Sequence, residues 1–73
     1  MPLERLIEDF DLVVKRSVAG AYSIAQHFDG RDEMIVEGPL NAADAQAQAI
    51  ALAHAQGSDA WLEEYPGSVR PLN

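Results

Sequence analysis

The sequence predicts an α+β fold, in which a small antiparallel sheet of three to four strands carries one alanine-rich helix packed on one face. Residues 10–38 alternate apolar and polar side chains between glycine turns, residues 42–56 are rich in alanine, and residues 60–65 again resemble a strand. The expected order is β-β-β-α-β. A chain of 73 residues is long enough for one hydrophobic core, so we expect a single domain over residues 1–73.

The N-terminal segment, residues 2–16, has two interpretations. Pro2 suits the first position of a helix, and the apolar spacing from Leu3 to Phe10 gives one helical face, which predicts a short helix over residues 2–9. From Phe10 onward the apolar period becomes two, and the valines favour a strand. A helix that continues to Arg16 also fits, so both interpretations stay open.

Two further strands complete a predicted three-stranded meander over residues 10–38. The turn at Gly20 precedes an alternating segment, residues 22–28. The loop DGRDE, residues 29–33, follows, and its Gly30 is free to adopt a positive φ. The third strand is expected over residues 34–36 and to end near Gly38.

The helix has recognisable signals at both ends. Asn41 is suited to the N-cap, Gly57 to the C-terminal stop, and the residues between them have high helix propensity. Asp44 in the first turn complements the helix dipole. The side chains expected to lie against the sheet form a narrow ridge of small residues: Ala42, Ala45, Ala49 and Ala53.

The strand AWLEEY, residues 60–65, places Trp61, Glu63 and Tyr65 on one side. Trp61 and Tyr65 fit either a core position beneath the helix or an interface on the other face of the sheet. Residues 69–72 are either a short return strand or a tail. Because one helix covers only one face of a small sheet, we expect the other face to meet water or a partner.

The charge balance narrows the choice of partner. Twelve acidic residues face five basic ones, a net charge of −7. Direct binding to nucleic acid or to an anionic membrane is disfavoured, since both depend on Lys and Arg. The expected partner is the basic surface of a protein. The absence of cysteine, of a signal-peptide pattern and of a membrane-length apolar segment predicts a cytoplasmic protein.

Catalytic, metal and cofactor sites are not expected. His27 and His54 have no nucleophile or carboxylate at a recognisable spacing, and His27 is expected to be a surface neighbour of Asp29. The DGRDE loop lacks the ligand order of a calcium site, and no Cys/His cluster suggests zinc. These features favour a protein that binds without catalysis.

Clustered carboxylates are the candidate partner-binding residues. Solubility alone explains each cluster. Together, however, the clusters can create a negative field that attracts a basic cleft, with the carboxylates in the positions that phosphates would take. The clusters are the N-terminal group Glu4, Glu8 and Asp11, the turn group Asp29, Asp32 and Glu33 with Glu37, and the pair Glu63 and Glu64.

The segments YSIAQHFDGRDEMIVEG, AADAQAQAIALAHAQG and AWLEEY, within residues 10–65, resemble in layout the small acidic proteins encoded by phages, and several anti-CRISPR proteins in particular. The resemblance implies a non-enzymatic inhibitor that binds a subunit of a CRISPR effector and blocks target DNA. It transfers no binding residue, because these inhibitors share no motif. The alternative is a small structural or regulatory module that self-associates, as a homodimer for example, through the uncovered sheet face or an edge strand.

Overall fold

The computed structural model describes residues 7–17, 19–65 and 68–72. Within these residues the fold is α+β, which confirms the predicted class. One helix and five strands follow one another along the chain: β1 Leu12–Arg16, β2 Tyr22–Phe28, β3 Arg31–Leu40, α1 Ala42–Gln56, β4 Ala60–Tyr65 and β5 Ser68–Pro71. The strand count exceeds the expected three to four, because Ser68–Pro71 forms the return strand β5, one of the two alternatives expected near residues 69–72.

The sheet is mixed and has the order β3-β2-β1-β4-β5. Strands β1, β2 and β3 form the predicted antiparallel meander, whereas β4 lies parallel to β1 with Val13 opposite Trp61. The expectation of a purely antiparallel sheet was therefore wrong. The reason is that α1 makes a crossover from the edge strand β3 to the far side of β1, and a crossover returns the chain in the same direction.

The predicted N-terminal helix is absent from those of its residues that the structure describes. Residues 1–6 lie outside the described residues, residues 7–10 are not helical, and Leu12–Arg16 is a strand, so a helix continuing to Arg16 is wrong. The backbone bonds explain the outcome, because Phe10 N–H donates to the carbonyl of His27 and His27 N–H donates to the carbonyl of Asp11. These residues extend the pairing with β2.

The turn between β2 and β3 is shorter than the predicted five-residue loop. Only Asp29 and Gly30 separate the strands, with φ of 52° and 74°, as a tight two-residue hairpin requires. Strand β3 therefore begins at Arg31 rather than at residue 34. It continues past Gly38, where an added Cβ would overlap the carbonyl of Tyr22.

The helix and its caps are confirmed. The Asn41 side chain accepts a 2.8 Å hydrogen bond from Asp44 N–H, and Gly57 ends the helix with φ of 72°. The predicted ridge is fully buried at Ala45, Ala49 and Ala53. These small side chains allow close packing against the apolar residues of the sheet, which are chiefly Leu12, Val14, Ile24, Ala60 and Leu62.

The face opposite the helix is not open at its centre, contrary to expectation. Val13, Ala25 and Trp61 lie opposite one another on β1, β2 and β4, and all three are at most 2% exposed. Trp61 is thus a buried residue, but it does not lie beneath the helix. The side chain of Tyr65 lies outside the described part of the structure.

Candidate protein-binding surface

Asp11 is buried at the start of β1. It is 3% exposed and accepts three hydrogen bonds of 2.9–3.0 Å, from the Trp61 indole N–H and from the backbone N–H groups of Glu8 and Asp59. A buried carboxylate with three donors is a structural group that ties the N-terminal segment to β4. Asp11 is therefore left out of the surface that a partner could contact.

A polar network crosses the face opposite the helix. The Lys15 ammonium lies 2.7 Å from Asp32 Oδ2 and 3.9 Å from Glu63 Oε2, and the His27 ring Nδ1 lies 2.8 Å from Asp32 Oδ1. Asp32 pairs with His27 because the two residues are directly opposite in the hairpin. His27 is thus a neighbour of Asp32 and not of Asp29, the neighbour expected from the sequence.

The contacts in this network shift the pKa values of Asp32 and Lys15. Burial raises the pKa of Asp32, but hydrogen bonds and charge from Lys15 and His27 outweigh burial, so the pKa lies below its usual value. The hydrogen bond to Asp32 raises the pKa of Lys15 against the opposing effect of burial. Asp32 and Lys15 are therefore both charged at neutral pH and largely offset one another.

Glu64 is paired as well. Its carboxylate accepts a 2.6 Å hydrogen bond from the Arg70 guanidinium of the neighbouring strand β5. Both side chains are about half exposed, so this pair contributes little to stability. It nevertheless places a cation beside the carboxylate and weakens the negative field there.

Four candidate carboxylates have no cation partner among the described residues. They are exposed and belong to residues Glu8, Asp29, Glu33 and Glu37. Glu4 lies outside the part of the chain that is described. The candidate acidic residues are therefore divided: some are neutralised within the fold, and others direct their charge to solvent.

The end of the β2–β3 hairpin combines exposed charge with exposed aromatic side chains. Phe10 and Phe28 are 53% and 51% exposed, and their ring centroids lie 5.3 Å apart. Asp9 accepts a 3.0 Å hydrogen bond from Asp29 N–H, which brings a second carboxylate to the same turn. We call this group, which also includes Glu33 on β3, the hairpin-end surface: Asp9, Phe10, Phe28, Asp29 and Glu33.

The helix also ends near this surface. The Gln26 side-chain amide donates to Gln56 Oε1 at 2.6 Å and to the carbonyl of Phe10 at 3.5 Å. Gln56 is the last residue of α1. The partial negative charge of a helix C-terminus therefore adds to the field of the nearby carboxylates.

The described residues build neither a metal site nor a membrane-spanning helix. They contain no group of three His, Cys, Asp or Glu side chains that could hold a metal ion, and their single helix is too short and polar to cross a membrane. His54 is exposed on the helix. His27 and Asp32 form a pair that resembles part of a catalytic site, but Lys15 occupies the other oxygen of the carboxylate.

Sequence reasoning missed the aromatic pair and the polar network. A signal for the network was available, since a two-residue turn at Asp29 and Gly30 places His27 opposite Asp32. The Phe10–Phe28 contact had no such signal, because it depends on a left-handed backbone at Phe10.

No protein-family model matches the chain, and neither a curated protein nor a solved structure matches it. The geometry and charge of the chain's own residues are therefore what indicate its function.

Proposed function

We propose that this chain is a non-enzymatic binding protein that occupies a basic surface of a protein partner through its hairpin-end surface. The observation that carries the proposal is the division of the carboxylates. Asp32, Glu63 and Glu64 lie beside cations of the same chain, whereas Asp29 and Glu33 have none among the described residues. Charge that is not neutralised within the fold remains available to a partner.

The position of this charge supports the proposal. Asp9 accepts a hydrogen bond from Asp29 N–H at the turn, and Glu33 follows on β3. Gln26, which lies opposite Glu33, donates a hydrogen bond to Gln56 at the C-terminus of α1. Exposed charges within a Debye length of ~8–10 Å reinforce one another at physiological salt. Such a field speeds the encounter with a basic surface and orients the complex.

The narrower form of the proposal is that the partner surface normally holds nucleic acid, as in a subunit of a CRISPR effector. It is supported by the resemblance in layout to anti-CRISPR proteins and by the net charge of −7. In this form, the chain acts as a decoy whose carboxylates stand in place of phosphates. Nucleic acid and the chain then compete for the same surface.

The proposal is tested by affinity capture from a lysate of the native host, with a triple variant, Asp29→Asn, Glu33→Gln and Glu37→Gln. We expect the wild-type chain to retain a basic protein at low salt and release it at high salt, because the attraction is screened. The triple variant should retain far less of that protein. Excess single-stranded or double-stranded nucleic acid should displace the chain if the narrower form is right.

The control for each of these three substitutions taken singly is Glu64→Gln, which also removes one negative charge, from a pair on β4 and β5 at the other edge of the sheet. It should retain the partner almost as well as the wild type. Equal retention by the wild type and the triple variant would overturn the proposal. Retention that nucleic acid does not disturb would overturn only the decoy form.

A second candidate function, self-association, is favoured by one observation. Strand β3 is ten residues long and lies at an edge of the sheet, where Met34 and Ile35 are 47% and 43% exposed. An exposed apolar edge strand can pair with that of a second copy. Sedimentation at several concentrations tests this candidate: a dimer that Met34→Lys abolishes would support it, and a monomer throughout would exclude it.

A further inference from the structure

The backbone at Phe10 is held in an unusual conformation. Its φ is 74°, in the left-handed region that a bulky residue rarely adopts. Strained backbone of this kind is concentrated at functional sites. In this chain the strained conformation is accompanied by a side chain that is 53% exposed. Burial of the Phe10 ring therefore does not explain the strain.

The strained residue presents its ring beside a second exposed ring. Phe10 N–H donates to the carbonyl of His27, so Phe10 lies alongside the end of β2, and its ring contacts that of Phe28. Within the hairpin, Phe28 lies opposite Arg31, and Gln26 lies opposite Glu33. Because alternate residues of a strand share a face, Phe28 and Glu33 lie on the same face of the sheet.

The charges around the two rings identify the chemistry of the occupant. A second copy of this chain would bring Asp29 and Glu33 against identical carboxylates, which is unfavourable. The rings and the carboxylates both favour a cationic group, since cations stack on aromatic faces and pair with carboxylates. Arginine suits the combination better than lysine, because its planar guanidinium can stack on a ring while its N–H groups bind a carboxylate.

We infer that the Phe10–Phe28 pair anchors an arginine side chain from a basic segment of the protein partner, beside the carboxylates of Asp29 and Glu33. This inference rests on the proposed function and specifies how the partner is recognised. A shallow depression lined by Phe28, Arg31, Asp32 and Glu33 provides a place for a guanidinium next to the Phe28 side chain. Arg31 also lines it and opposes a second cation there.

The test uses two probes of equal charge, an arginine hexapeptide and a lysine hexapeptide, both amidated. Their affinities for the full chain are measured by NMR titration at low salt, with the ring signals of Phe10 and Phe28 as the local readout. We expect the arginine peptide to bind about three- to fivefold more tightly than the lysine peptide, with the largest shifts at these rings.

Two variants separate the contribution of the rings from that of the charges. The double variant Phe10→Leu, Phe28→Leu keeps apolar side chains but removes both ring faces, and it should bind the two peptides equally. Arg31→Gln should bind the arginine peptide more tightly than the wild type, because it removes the cation that lines the depression. Backbone NMR spectra establish that each variant remains folded.

The outcomes distinguish this inference from the function on which it rests. Equal affinity of the wild type for the two peptides, with weakening only in the Asp29→Asn, Glu33→Gln variant, would overturn the aromatic anchor and leave the acidic surface intact. Peptide binding that neither the ring substitutions nor the carboxylate substitutions alter would overturn both this inference and the proposed function. An arginine preference that disappears in the double leucine variant supports the inference.

Discussion

The face opposite the helix and the hairpin end use the same kinds of residue in opposite ways. On that face, Asp11 binds the buried Trp61, and Asp32 is held between Lys15 and His27. At the hairpin end, the aromatic rings are half exposed, and the carboxylates have no cation partner among the described residues. Identical chemistry thus stabilises the fold in one region and is left available to a partner in the other.

The difference shows that net charge is a poor guide to function unless it is known which carboxylates are paired within the fold and which are exposed. The total of −7 is the same whether acidic residues are paired or exposed. Only the groups that lack an internal partner contribute strongly to the field that an approaching molecule meets. Substitutions in the two regions should therefore differ sharply: loss of stability in one, and loss of binding with little change in stability in the other.

The largest effect is expected for Asp11→Ala. This substitution removes the acceptor of the Trp61 indole N–H and of two backbone N–H groups in a buried setting. We expect the free energy of unfolding to fall by about 3 kcal/mol, measured by urea denaturation. Asp29→Asn is the control at the hairpin end and should cost less than about 0.5 kcal/mol, because asparagine tolerates the positive φ of this residue.

A loss below about 1 kcal/mol for Asp11→Ala would show that the buried carboxylate does not hold β1, β4 and the N-terminal segment together. A loss for Asp29→Asn as large as that for Asp11→Ala would remove the contrast between the two regions. Asp29 has a positive φ, so Asp29→Gly serves as a second control that separates backbone strain from charge.

A smaller effect is expected for Asp32→Asn. The pKa of Asp32 is lowered in the folded state, so its contribution is complete above the unfolded pKa and disappears as pH falls through the folded-state value. The raised pKa of Lys15 means that its contribution is lost only as pH rises through that value. At neutral pH, Asp32→Asn should therefore cost about 1 kcal/mol or less.

Urea midpoints measured from acidic to neutral pH provide the check. The difference between the wild type and Asp32→Asn should shrink toward zero at acid pH, where the wild-type carboxylate is protonated. Glu33→Gln, at the neighbouring residue of β3 that has no cation partner among the described residues, is the control and should lower the urea midpoint at neutral pH by less than Asp32→Asn does. If both variants behave alike, Asp32 is not distinguished by its pairing in solution.

The sequence was sufficient to predict the elements whose signals are local. Asn41, Gly57 and the alanines between them specify the helix through capping and propensity, and both ends lie where these signals place them. The alternation in residues 22–28 likewise predicted β2. These features depend on neighbours a few residues apart, which is the range over which a sequence pattern is informative.

Pairing between distant residues could not be read from the same patterns. The parallel neighbour of β1 is β4, and the Asp11–Trp61 bond joins residues fifty positions apart. Alternation specifies which residues share a face but not which strand lies beside which. Which carboxylates are paired with cations and which are exposed depends on that strand pairing. The sequence therefore predicted which acidic residues were candidates, but not which of them share one exposed surface.

The smallest effect, and the most direct test of the hairpin end, is expected at Phe10. Because its φ is 74°, glycine should be more stable than alanine at this position by about 1 kcal/mol, the reverse of the order in a regular strand. Phe10→Gly also loses the contact with Phe28, worth about 0.5–1.5 kcal/mol, so it should remain within about 1 kcal/mol of the wild type. Urea denaturation of the glycine and alanine variants measures both quantities. If alanine proves at least as stable as glycine, the left-handed backbone is not maintained in solution, and the exposed rings no longer require a partner to explain their position.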